Sequence, residues 1–161
     1  MLYIWLSRLL LATGALFALR KGDEPEKLVA MIMVAEVPLD LGNHAAYGYP
    51  TWFAVNPGHF VIDLWVLITM AWVALRANRG WPLWACAMQL IVVVAHLGKL
   101  FEIDEARRSY WLMSQVPGLA QVVTLILGTH AHVLRQRRIG RYAPWRPEPG
   151  ARRTKLKEAK P

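Results

Sequence analysis

The sequence is poor in cysteine and lacks the short motifs of the common enzyme classes. Its one cysteine, Cys86, excludes an intrachain disulfide and a zinc site built from cysteines. There is no HExxH pair, no nucleophile elbow and no glycine-rich phosphate loop. No motif therefore identifies a zinc protease, an α/β-hydrolase or a P-loop nucleotide-binding protein, and we do not predict an enzyme.

Charge is also absent from one long stretch. Ser109–Leu134 holds 26 residues with no Asp, Glu, Lys or Arg, and about 20 apolar residues are enough to cross a bilayer. The residues that follow, Arg135–Pro161, hold ten of the nineteen Lys and Arg side chains of the chain. Because a cationic block beside a span is typical of the cytoplasmic side, this contrast predicts a membrane protein with its C-terminus inside.

Four further apolar segments complete an all-α prediction. We expect a polytopic bundle of five helices within residues 1–134, at about residues 2–19, 28–41, 58–75, 81–101 and 110–134. Residues 28–41 are short for a full crossing and also fit a re-entrant segment. Residues 2–19, which we expect not to be removed as a signal peptide, form either the first span or an interfacial helix beside four spans.

The loops and the tail set the predicted orientation. With the tail inside, the basic residues around 20–27 and 76–79 also fall inside, which places the N-terminus outside a bacterial inner membrane. We expect residues 135–161 to be a basic, mostly disordered cytoplasmic tail that binds anionic lipid head groups rather than nucleic acid. The basic residues next to the last span are Arg135, Arg137, Arg138 and Arg141. We expect the charged residues 24–27 to be exposed to solvent.

Ionisable side chains inside the spans mark the candidate functional site, because such groups are costly in hydrocarbon. Glu36 and Asp40 are four residues apart, as are His59 and Asp63, so each pair shares one helix face. The predicted topology brings these and other polar side chains into the outer half of the bundle. The predicted cluster comprises Arg8, Glu36, Asp40, His59, Asp63, His96, Lys99 and Gln115.

Three interpretations of this cluster are open. It forms a closed network, with Arg8 paired to Glu36 or Asp40 and Lys99 paired to Asp63. It forms a relay that conducts protons or ions. It binds a divalent metal, for which His59, Asp63 and His96 are the candidate ligands, with Asp40 or His44 in addition.

No resident metal or cofactor is predicted from these residues. There is no metalloprotease motif, and His96 has no ligand partner on its own helix. A transmembrane haem would need histidines at one depth on different helices, and His130 and His132 have no such partner. We therefore expect neither zinc nor haem as a cofactor.

The last apolar segment carries a stripe of small and polar residues at alternating spacings of three and four. It consists of Ser114, Pro117, Gln121, Thr124 and Gly128. Small residues allow close helix approach in lipid, and Gln or Thr can hydrogen-bond across the contact. The stripe faces either the bundle interior or a seam with a second copy or another membrane subunit.

Residues 58–134 combine several features. They include Asp63 in an apolar run, the Trp81-Pro-Leu-Trp84 sequence followed by Gln89 and His96, and a last helix with Pro117 and Gly128. This combination resembles a family of small, uncharacterised bacterial integral membrane proteins. The resemblance implies a helical bundle in a membrane, implies no activity, and does not extend to the basic tail.

The favoured functional prediction is a small, non-enzymatic accessory subunit that packs against other membrane subunits or a second copy. It is based on the stripe of the last helix and on the lipid-anchoring tail. The alternative is an ion- or proton-linked channel or transporter that uses the outer polar cluster, and the third is a membrane metal-binding protein or metallo-enzyme.

Overall fold

The computed structural model describes residues 2–48, 57–100 and 107–147, without the side chains of residues 2–4, 99–100, 107–112 and 114. The described residues form five α-helices and one isolated β-bridge. The helices are α1 (Leu2–Lys21), α2 (Glu24–Tyr47), α3 (Pro57–Arg76), α4 (Trp81–Leu100) and α5 (Arg107–Ile139). The predicted all-α fold of five helices is confirmed.

The five helices pack as a closed ring. Each helix contacts the next one along the chain, α1 also contacts α5, and α2 reaches α5 across the ring. Helices α1, α3 and α5 end on the side where α2 and α4 begin. We call this side the basic end, defined by Lys21, Arg76 and Arg137, and we call the other side the opposite end.

Four of the helices are long and apolar enough to cross a membrane. They are Glu24–Tyr47, Pro57–Arg76, Trp81–Gly98 and Gln115–Ile139. Helix α1 lies against α2 and α5, and its outward face exposes Leu6, Leu9 and Leu16. The chain thus has the membrane-spanning helical character of an integral membrane protein.

Helix α2 is longer than the sequence predicted, and its N-terminus explains why. Asp23 caps the helix, with its side chain accepting from the Glu24 backbone N–H, while the Glu26 carboxylate accepts from the Asp23 backbone N–H at 3.1 Å. This capping box begins the helix four residues before the predicted start at Leu28. The helix also continues past Pro38 to Tyr47, so α2 reaches the length of a full span.

Small residues set the helix spacing in the core. A methyl group added at Gly14 of α1 would lie 3.1 Å from Ile126 of α5, so the two helices approach closely there. Large apolar side chains instead cover the outward faces, as lipid contact requires. The buried apolar core consists of Ala15, Ala18, Val29, Ala30, Met33, Val66, Met70, Val73, Ala77, Ala85, Val122 and Leu125.

The first part of the predicted tail is ordered. Helix α5 continues five residues past the predicted end at Leu134 and stops at Gly140, whose φ of 78° is the left-handed conformation that favours glycine. Residues 140–147, which we call the C-terminal strap, return to the bundle. There the Arg146 N–H donates to the Arg76 carbonyl at 2.8 Å, and the Asn78 N–H donates to the Pro144 carbonyl at 2.9 Å. Residues 148–161 of the predicted tail lie outside the described residues.

Candidate functional site

Polar side chains within the bundle gather in three places. The central network consists of Asp63, Gln89, His96 and Gln121. The opposite-end cluster consists of Asp40, His44 and His59. The basic-end network consists of Asp23, Glu26, Arg79, His132 and Tyr142.

The central network is built around the carboxylate of Asp63 on α3. His96 Nε2 lies 2.7 Å from Asp63 Oδ2, and both side chains are largely buried. Gln89 Nε2 donates to Asp63 Oδ1 at 3.0 Å and to the Asp63 backbone carbonyl at 3.2 Å. Each carboxylate oxygen therefore has a nitrogen partner from α4, which is what a buried carboxylate needs.

Gln121 of α5 extends this network across the bundle. Its Nε2 donates to Gln89 Oε1 at 2.7 Å and to the Ala85 carbonyl at 3.3 Å. The Gln89 carboxamide is thereby oriented, with its oxygen toward Gln121 and its nitrogen toward Asp63. Three helices are thus joined by one chain of hydrogen bonds that ends on a single carboxylate.

The spacing along α4 explains how one helix supplies two of these groups. Gln89 and His96 are seven residues apart, two helical turns, so they lie on one face. Along the bundle, Asp63 of α3 lies at a level between the two side chains. Gln89 therefore contacts Oδ1 of the carboxylate and His96 contacts Oδ2. Because ionisable groups inside a span are rare and costly, this network is the first functional candidate.

The opposite-end cluster lies where α2 ends and α3 begins. His59 Nε2 is 2.8 Å from Asp40 Oδ1, and His44 Nε2 is 3.5 Å from the same oxygen. The two imidazole rings meet edge to face, with centroids 4.9 Å apart. The side chains of Asp40, His44 and His59 are partly exposed.

Glu36 connects the two regions. It lies one turn from Asp40 on the same face of α2, and it is partly buried. Its carboxyl group is within electrostatic range of both Asp40 and Asp63. Glu36 thus interacts electrostatically both with the partly exposed Asp40 and with the buried Asp63.

Two of the remaining members of the cluster predicted from the sequence lie outside the central network and the opposite-end cluster. Arg8 is exposed on α1 and contributes positive potential at Asp40. Gln115 is partly buried near the start of the apolar part of α5. The predicted Lys99–Asp63 pair falls outside the described side chains, and among those described Asp63 contacts His96 and Gln89.

The predicted metal trio is divided between two sites. His59 joins Asp40 and His44, whereas Asp63 and His96 pair with each other. Helical spacing placed His59 and Asp63 on one face of α3 but did not show which neighbouring helix each would contact. The three residues do not share one location.

The stripe on α5 faces the bundle where its side chains are described. Gln121 is buried in the central network, and Gly128 lies against the ring of Trp81. Pro117 is buried, and the Thr124 hydroxyl donates to the Ala120 carbonyl of its own helix at 2.7 Å. The side chain of Ser114 lies outside the described residues. Of the two predicted placements, the structure shows the interior one for Gln121 and Gly128.

The basic-end network contains an ion pair that the sequence did not predict. Arg79 Nε lies 2.6 Å from Glu26 Oε1, and Arg79 Nη2 lies 3.3 Å from Asp23 Oδ2. Glu26 is fully buried, so the expectation that residues 24–27 are solvated is wrong at this position. The capping box formed by Asp23 and Glu26 is the signal in the sequence that points to an ordered turn there.

Arg79 also joins this network to the strap. Its Nη1 donates to the Pro144 carbonyl at 3.1 Å, and its Nη2 donates to His132 Nδ1 at 3.0 Å. Because a guanidinium group can only donate, His132 Nδ1 is an acceptor, and the hydroxyl of Tyr142 donates to it at 2.8 Å. Burial raises the pKa of Tyr142, which keeps this hydroxyl protonated.

The predicted lipid-binding arginines lie on the outer surface of the basic end. Arg137, Arg138 and Arg141 are exposed. Arg135 is exposed too, and its guanidinium carbon lies 4.3 Å from the centre of the Tyr142 ring. Part of this basic surface therefore holds the strap in place through a cation–π contact.

The comparisons with known proteins add no relative. The chain matches no protein-family model, no curated protein and no solved structure.

Proposed function

We propose that this chain is a proton-linked membrane protein in which Asp63 and His96 exchange protons with the solution at the opposite end. The observation that carries the proposal is the buried Asp63–His96 pair at 2.7 Å, with the Asp40–His59 pair at 2.8 Å nearer the end of α2 and with Glu36 in electrostatic range of both Asp40 and Asp63. Intramembrane ionisable groups in such a series are typical of proton pathways in pumps and transporters.

In this proposal the side chains have different roles. Asp40 and His59 meet solvent and take up the proton, and Glu36 passes it inward. The Asp63–His96 pair then holds the proton in the apolar interior, where a hydrogen-bonded acid and base at 2.7 Å can share it. Gln89 and Gln121 do not titrate, and they fix the direction in which the carboxylate faces.

The proposal includes the orientation of the bundle in the membrane. Lys and Arg concentrate at the basic end, which supports an orientation with that end in the cytoplasm of a bacterial inner membrane and the opposite end outside. The exposed Arg137, Arg138 and Arg141 would then face anionic lipid head groups, each contributing about 1 kcal/mol near the surface. Proton uptake would accordingly begin from the outer solution.

The test is proton flux into liposomes that contain the purified chain and a pH-sensitive dye. We expect flux above that of empty liposomes, and we expect Asp63→Asn and His96→Gln each to reduce it to the empty-liposome rate. Thr69→Val is the matched control on α3, because among the described residues that hydroxyl donates to the Trp65 and Val66 carbonyls of its own helix. Equal flux in the wild type and in Asp63→Asn would contradict the proposal.

A second candidate is an accessory subunit of a larger membrane assembly, and Trp65 favours it. Trp65 is the ninth of the twenty residues of α3, and its side chain is exposed on the outer face of the bundle. Tryptophan is usual at the membrane surface and at protein interfaces rather than in mid-membrane lipid. Photo-crosslinking from position 65 in cells would identify a partner subunit, whereas crosslinks to lipid alone would count against this candidate.

A further inference from the structure

The opposite-end cluster has the composition and spacing of a transition-metal site. Asp40, His44 and His59 each offer one ligand atom, and these three atoms lie within 4.8 Å of one another. Neutral imidazole nitrogen and carboxylate oxygen are ligands that zinc takes in proteins. Ligands around a tetrahedral zinc ion lie about 3.3 Å apart, given Zn–N distances of about 2.0–2.1 Å. The distances from Asp40 Oδ1 are 2.8 Å to His59 Nε2 and 3.5 Å to His44 Nε2, so one is shorter and the other longer than that value.

The helices hold the three ligands in a chelating arrangement. Asp40 and His44 are separated by one turn of α2, so both reach the same point beside the helix. His59 comes from the first turn of α3, so the third ligand approaches from a different element. Two ligands on one helix and one on its neighbour would join the ends of α2 and α3.

The backbone next to His44 selects the nitrogen that faces the cluster. His44 Nδ1 lies 3.4 Å from the carbonyl oxygen of Gly48, the residue that caps α2. A hydrogen bond from Nδ1 to a backbone carbonyl is the usual outer contact of a metal-binding histidine, and it leaves Nε2 as the ligand atom. His44 Nε2 is the atom that faces Asp40.

We infer that Asp40, His44 and His59 bind one divalent transition-metal ion, with zinc the best match, at the end of the bundle away from the basic end. The three ligands are partly exposed, so the ion can enter from solution. Three protein ligands leave a fourth position for water or an exogenous anion, as in an open zinc site. A bound ion would exclude a proton from Asp40 and His59, so metal binding would compete with the proton uptake proposed above. Metal binding is therefore measured by itself, without proton flux.

The test is a Co²⁺ titration of the full chain in detergent, purified without a polyhistidine tag. We expect one Co²⁺ per chain, with the visible absorption of a tetrahedral or five-coordinate ion, and we expect Zn²⁺ to displace it. Outer contacts of metal ligands already account for about 10–100-fold in affinity. Loss of a direct ligand in His59→Gln should therefore weaken binding by about 100-fold or more.

The control variants separate this site from the other histidines and from the proposed function. His130→Gln alters an exposed side chain at the basic end and should bind Co²⁺ like the wild type. Asp63→Asn and His96→Gln should also keep the metal, even where they abolish proton flux. If His59→Gln does not fold, His44→Gln removes a second ligand from the surface of α2. Absence of stoichiometric Co²⁺, or unchanged affinity in both histidine variants, would overturn the inference.

Discussion

Gly128 of α5 lies directly against the indole of Trp81 at the start of α4. A methyl group added at Gly128 would lie 2.4 Å from Trp81 Cδ2. The same indole donates from Nε1 to Glu26 Oε1 at 3.2 Å. The absence of a side chain at Gly128 therefore allows Trp81 to reach the buried carboxylate of Glu26.

Gly128→Ala is expected to lower the thermal stability of the protein in detergent. Trp81 has to move, and overpacking of this kind typically costs about 1–3 kcal/mol. Gly118→Ala is the matched control on the same helix, because a methyl group there would meet none of the described atoms within 4 Å. A Tm for Gly128→Ala equal to that of Gly118→Ala would show that the contact with Trp81 does not limit the packing of α4 on α5.

Arg79→Leu is expected to destabilise the chain strongly. The change leaves Glu26 buried without its cation, and breaking a buried ion pair from one side costs about 3–5 kcal/mol. Adding Glu26→Gln should recover part of the loss, because the remaining side chain is then uncharged. Arg137 is exposed, so Arg137→Gln is the control and should leave the Tm in detergent nearly unchanged. A Tm for Arg79→Leu as high as that of Arg137→Gln would show that the Arg79–Glu26 ion pair does not stabilise the protein.

Gln89→Leu and Gln121→Leu are expected to be non-additive. Gln121→Leu leaves Gln89 Oε1 without its donor, whereas Gln89→Leu removes one acceptor of Gln121 and the donor to Asp63 Oδ1. Each buried group left unsatisfied costs about 1–3 kcal/mol. The double change removes both amides, so its loss of stability should be smaller than the sum of the two single losses. A double-mutant cycle on thermal stability in detergent measures the coupling, and strict additivity would contradict the hydrogen bond between the two side chains.

Tyr142 should make the protein sensitive to alkaline pH. Burial raises the pKa of its hydroxyl above the usual value of 10.0, so the folded state favours the protonated form. Its stabilising contribution is complete below the unfolded-state pKa and is lost as the pH rises through the folded-state pKa. Tyr142→Phe should therefore show a smaller fall of Tm between neutral pH and pH values above about 10. An identical fall of Tm with pH in the wild type and in Tyr142→Phe would show that Tyr142 does not cause the sensitivity to alkaline pH.

The sequence was sufficient for the helices and for the region where polar groups meet. The apolar segments predicted five helices, and the alternating directions of the segments placed Asp40 and His59 near the same end. What the spacing could not show was the rotation of each helix about its axis. For that reason the sequence did not predict that Asp63 pairs with His96 while His59 pairs with Asp40.

The basic end was harder to predict for a different reason. Arg79 and Glu26 are far apart in the chain, and each stands in a short polar turn that looks solvated in the sequence. Arg79 also contacts the strap, which approaches it from a third position, beyond Gly140. Local patterns do not contain information on such a contact between three distant segments.

The strap has a consequence for the order in which the protein is made. During synthesis Glu26 and Arg79 emerge early, but the Pro144 carbonyl that accepts from both Arg79 and Asn78 emerges only after α5. Until then Arg79 Nη1 and the Asn78 N–H lack the acceptor that they have in the folded chain. The strap, the last part of the described chain to be synthesised, thus completes a turn that is made much earlier.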